Sequence, residues 1–159
     1  MTLPASFTLS MSQIAAELGL SLPLSLNHAW VEALANKSGL PVSFSDLLGK
    51  TGRFDGNISI NVTGFGPFPS GSTLFGATLS QITGGYNGAT LLTVEIDFNN
   101  GTWPPNYTGN FKLTNNSTGA SCVLSQLIPG ASNTWRNSSP PQNIIRKGQT
   151  DSYNIVPSS

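Results

Sequence analysis

Along the first fifty or so residues the apolar positions recur at spacings of three and four, and from Asn57 onward the period drops to two. Ile14 and Leu18, then Trp30, Val31 and Leu34, fall on one face of short helices predicted over residues 12–18 and 27–35, with a third turn at 45–48. Gly19, then Gly39 with Pro41, then Gly49 stop them. Further on, Ile58-Ser59-Ile60-Asn61-Val62-Thr63 and Leu92-Thr93-Val94-Glu95-Ile96-Asp97-Phe98 alternate, as strands with one buried and one wet face do. More strands are expected at 72–82, 110–114, 121–127 and 152–156, with a weaker one at 143–146. Turn chemistry separates them at Gly64-Phe65-Gly66-Pro67, Gly84-Gly85, Asn99-Asn100-Gly101, Asn115-Asn116 and Pro140-Pro141. The fold class is therefore mainly β: a small N-terminal segment of short helices followed by an antiparallel β-sandwich, Ig-like or jelly-roll, with a small closed barrel as runner-up. Residues 1–54 read as a helical docking module and 55–159 as the β-sandwich domain.

Each helix start carries a serine three residues ahead of a polar partner: Ser10 before Gln13, Ser25 before His28, Ser43 before Asp46. That spacing is the mark of a reciprocal side-chain cap. Helices this short do not persist without packing partners. Ile14, Leu18, Trp30, Leu34, Phe44 and Leu47 are accordingly the candidate docking residues, leaning on the β domain, on sister subunits or on a larger assembly.

The order Ser-Met-Ser-Gln-Ile-Ala-Ala-Glu-Leu-Gly from Ser10, Leu-Ser-Leu-Asn from Leu24, and Val-Ser-Phe-Ser-Asp-Leu-Leu-Gly-Lys-Thr-Gly from Val42 resembles the N-terminal segment of small structural proteins of tailed bacteriophages. The likeness covers about a third of the chain. It departs at His28-Ala29-Trp30 and at Leu48, which bear on the partner surface. What the resemblance implies is a non-enzymatic virion protein, assembled in the host cytoplasm, whose N-terminal module docks and whose β domain is displayed. A tail-tip, baseplate or tail-fibre accessory subunit fits that pattern, with a capsid decoration protein as the alternative. Its expected partners are other virion proteins and further copies of itself.

Composition narrows the chemistry. Only 9% of the residues are charged, and seven Lys and Arg balance seven Asp and Glu. A near-neutral surface gives no electrostatic grip on nucleic acid, so none is expected as a partner. No apolar run approaches the ~20 residues of a membrane-spanning helix, so no membrane insertion is expected. Cys122 is the only cysteine, and His28 the only histidine, which leaves no pair for a zinc site and no cofactor to expect. A triad of Ser45, His28 and Asp46 lacks the nucleophile-elbow context. Glu95 and Asp97, two apart on one strand, suit a metal or a glycosidase acid, yet exposed alternating carboxylates are more often a solvated face. Aromatic residues expected in loops, Trp103 and Tyr107 beside Pro104-Pro105, and Trp135 beside Arg136, are the candidate contacts to a host-surface glycan or receptor. Taken alone, they also suit a stand-alone carbohydrate-binding module.

Overall fold

The computed structural model describes residues 2–6, 8–39, 41–99 and 105–159. Among these, nine strands form one antiparallel sheet: β1 Phe54–Ser59, β2 Phe65–Pro67, β3 Thr73–Leu74, β4 Ala77–Asn87, β5 Thr90–Phe98, β6 Asn110–Asn115, β7 Ser121–Gln126, β8 Thr134–Asn137 and β9 Thr150–Ser158. Their order is β1-β9-β6-β7-β8-β5-β4-β2, with β3 paired to β4. β7 turns the corner between two faces, pairing with β6 through Ser121 to Leu124 and with β8 through Ser125 and Gln126. The sheet thereby folds over itself as a sandwich. In the sheet β6 lies beyond β8 and β7 from β5, the strand before it in sequence, and β9 lies beyond β7 and β6 from β8, a Greek-key order.

At the far side β1 and β2 come together. Asn61 starts the turn between them, its carboxamide oxygen accepting the N–H of Thr63 (2.9 Å) and of Phe65 (3.0 Å). Gly66 permits the approach, because a Cβ there would lie 2.7 Å from Ile58 and 2.6 Å from Ile60. The stretch Gly64 to Pro67, expected as a turn, therefore supplies a strand, and the expected strand over 58–63 breaks after Ser59. Gly84 and Gly85, also expected as a turn, lie inside β4, where the register against β5 slips between Gly85 and Tyr86. They make a bulge rather than a reversal.

The period-two pattern decides the interior. Along β5 the side chains of Leu91, Val94, Ile96 and Phe98 are buried, and along β9 those of Asp151, Tyr153, Ile155 and Pro157. Two further expectations change. Residues 143–146 form no strand; Ile144 and Ile145 drop into the core from a turn. The Trp135 segment, expected as a loop, is β8, with Trp135 opposite Ile96 on β5 and Gln126 on β7.

The short helices are α1 Met11–Leu18, α2 Ala29–Ala35 and α3 Phe44–Leu47. Ser10 and Gln13 close the reciprocal cap of α1, and Gly19, at φ 67°, ends it in the left-handed conformation. In α3 the Asp46 carboxylate takes the N–H and the hydroxyl of Ser43 and the ammonium of Lys37 at 2.8 Å, which holds its pKa well below the usual carboxylate range. The middle copy departs from the pattern. There His28 itself is the cap, its Nδ1 accepting the Trp30 N–H at 3.2 Å.

These helices turn their apolar faces into the same chain. Ile14, Leu18, Leu34 and Leu47 are at most 2% exposed and join the strand residues in one contiguous cluster. Expected to lean on the β domain, on sister subunits or on a larger assembly, these four lean on the β domain: they are interior side chains and so are not available as contacts to another molecule. The joint is polar as well as apolar. Glu17, fully buried, accepts the N–H of Gly52 (2.8 Å) and of Arg53 (3.2 Å), while Arg53 donates to the Ala16 carbonyl (3.0 Å).

Burial raises the Glu17 carboxyl pKa above its ordinary value, opposed by those two backbone N–H groups, and its Oε2 has no hydrogen-bond partner. A carboxyl whose pKa is raised on folding contributes stability below its unfolded value, and that contribution fades as the pH climbs through the folded one. Glu17→Gln keeps an acceptor for Gly52 and Arg53 but removes the charge. It is expected to improve Tm relative to the parent protein more at about pH 8 than at about pH 4 in thermal melts. An equal difference at both pH values would contradict the raised pKa.

Candidate functional site

The helical segment meets the β unit at a surface groove of about 490 Å³. Ala29, Trp30 and Ala33 of α2 form one wall, residues 106–110 leading into β6 form the floor, and Ser158 and Ser159 close the end. Tyr107 is held rigidly. Its hydroxyl shares a proton between the carbonyls of Asn110 and Ser158, each at 2.9 Å, and its ring stacks on Phe75 with centroids 4.9 Å apart. Burial pushes the Tyr107 hydroxyl pKa up to about 12, so the group stays a neutral donor at any ordinary pH. Trp30 meets the Tyr107 ring edge to face at 6.1 Å and the His28 ring at 5.3 Å, and it is only half-buried. Two rings that sequence reading assigned to different roles, Trp30 to subunit docking and Tyr107 to glycan contact, thus share one site.

Around them stand polar groups with nothing to do in the fold. The Trp30 indole N–H and the side chains of Asn106, Thr108 and Asn110 bond to no other described residue. Among the described residues none of the lining side chains carries a charge. Asn106, Thr108 and Asn110 escaped the sequence reading, although a run of neutral hydrogen-bonding residues straight after a proline pair was there to see.

No match is found to this chain among protein-family models, curated proteins or solved structures. The site is therefore read from its own chemistry.

The remaining candidates fall elsewhere. Trp103 lies outside the described residues. Trp135 is fully buried, its indole N–H donating to the Gly109 carbonyl at 2.8 Å and its ring against Phe98 and Phe111, so it supports the floor of the groove from beneath and presents no face to a ligand. Phe44 is exposed, and with Trp30 it is what the docking set leaves accessible.

Glu95 and Asp97 do stand on the outer face of β5, but each is engaged by its neighbours. Arg136 of β8 pairs with Glu95 at 2.6 Å, while Gln81 of β4 and Thr134 of β8 both donate to Asp97. These are cross-strand pairs that fix sheet register. Among the described residues no cluster of three metal-ligating side chains occurs. Burial pushes the Cys122 thiol pKa up to about 11, which keeps it protonated and unreactive.

Proposed function

We propose that this chain is a non-enzymatic structural subunit of a bacteriophage virion, a tail-tip, baseplate or tail-fibre accessory protein whose N-terminal helices and β unit together form the displayed body. The observation that carries the reading is the order of the three capped segments from Ser10, Leu24 and Val42, which resembles the N-terminal segment of such proteins. Support comes also from the carboxylates. Glu95, Asp97, Asp55 and Asp151 are bound to Arg136, to Gln81 with Thr134, to Arg53 with Asn154, and to Arg146 with Asn115 respectively, which commits them to holding strands and turns in place.

Since the inward faces of the helices are occupied, attachment to the particle belongs to what remains exposed outside the groove, Phe44 among it. Immunogold labelling of purified particles with an antibody raised against the whole chain tests the reading. Gold at the tail end is the expected result. Gold on the head shell would move the protein to capsid decoration, and unlabelled particles would overturn a virion role altogether.

A further inference from the structure

We infer that the groove between α2 and the start of β6 is a binding site for a neutral glycan. The inference deepens the proposed virion role, since it names what a displayed subunit would hold on a host surface.

Four features of the groove select this ligand. First, one aromatic ring, the half-buried Trp30, stands in the groove, backed edge to face by the buried Tyr107, which its hydroxyl and its stack on Phe75 hold in place. A ring flanked by polar groups suits a sugar, which presents an apolar C–H face and a hydroxyl rim. Second, the indole N–H of Trp30 and the side chains of Asn106, Thr108 and Asn110 offer both donors and acceptors that no described residue uses. Hydroxyl groups need both. Third, the lining side chains are uncharged, which gives a phosphate, a sialic acid or a nucleic-acid backbone nothing to pair with.

The fourth feature weighs against one rival, a peptide that joins the sheet. Such a peptide binds by adding itself to an exposed strand. Here β6 is paired with β7 on one side and β9 on the other, and β9 with β6 and β1, so the strands bordering the groove have no open backbone to offer. Stacking with side-chain hydrogen bonding remains open there, a mode that suits neutral sugars.

The test uses the full chain on an array carrying neutral bacterial surface polysaccharides, short neutral oligosaccharides and their sialylated or phosphorylated counterparts, with affinities of the hits then measured by calorimetry. Binding to neutral glycans alone is expected; hits confined to the polysaccharides point to a surface polymer as the source, and hits on the short sugars to a terminal unit. Trp30→Ala and Asn110→Ala should each weaken a hit by about tenfold, while Val62→Ala, exposed and outside the groove, leaves it unchanged. Melting curves accompany each variant, and Asn110→Ala, at a partly exposed position, carries the test should Trp30→Ala fail to fold. No neutral hit, or hits indifferent to both substitutions, would overturn the site. That result would leave the immunogold outcome untouched, so the two readings fail separately.

Discussion

Asp151→Asn is expected to cost about 2–3 kcal/mol of folding stability, roughly 5–10 °C in Tm. The carboxylate is 1% exposed at the start of β9, and it is the hub of a buried polar network. Arg146 grips both of its oxygens, and Asn115 donates to it at 2.8 Å while also donating to the Ile144 carbonyl at 3.1 Å. The other end of the Asn115 amide accepts the N–H of Ser117 (2.9 Å) and Thr118 (3.2 Å). One carboxylate thus ties the turn before β9 to the turn after β6. An asparagine there keeps the shape but turns an N–H₂ toward groups that are themselves donors.

The pH dependence separates this account from simple misfit. Arg146, then Asn115, hold the Asp151 pKa below its usual value against the effect of burial. A carboxyl whose pKa falls on folding contributes stability above its unfolded value near 3.8 and loses it as the pH drops through the folded one. The gap between parent and variant should therefore be widest near neutrality and shrink below about pH 4. A gap that stays constant down to about pH 2 would show that the charge is not what the network uses.

Trp135→Ala should be the most damaging single truncation, at about 3–5 kcal/mol. Trp135 is the largest fully buried side chain among the described residues, with Phe98 and Phe111 at ring-centroid distances of 5.2 and 5.4 Å. Its removal opens a cavity under the groove and strands the Gly109 carbonyl, which has the indole as its partner. Trp135→Phe refills most of the volume and forfeits the hydrogen bond, so it should recover a large part of the loss in denaturant titrations. Should Trp135→Ala cost less than about 1 kcal/mol, the floor of the groove would not depend on this packing.

Much of the fold could be read from one chain because the burial pattern is so regular. Leu91, Val94, Ile96 and Phe98 mark β5, and Gly19 marks the end of α1, without reference to anything distant. Failures arose where tertiary contact overrides local character. Trp135-Arg136 sits among Asn and Ser residues and reads as a loop, yet β5 and β7 on either side make it a strand. Gly66 and Pro67 read as a turn, yet a strand with no side chain is what allows β1 and β2 to meet. Periodicity likewise identified the faces of α1 and α2 but not what covers them, and Ile14, Leu18 and Leu34 proved to face their own chain. The groove was only half visible, because Trp30 and Tyr107 are far apart in sequence and nothing local announces that they touch.

The pairing of β1 with β9 joins segments far apart along the chain and is expected to slow folding. Phe54 lies opposite Ile155, and Val156 of the same strand packs against Gly19 at the end of α1. Contacts so widely separated along the chain form slowly, since a long loop must close before any of them is rewarded. During synthesis, then, the first strand and the first helix wait without that partner until β9 itself has been made. In that interval the apolar faces of α1 and α2 stand open to whatever is nearby, and nascent chains lacking β9 should be the ones that chaperones hold and proteases cut.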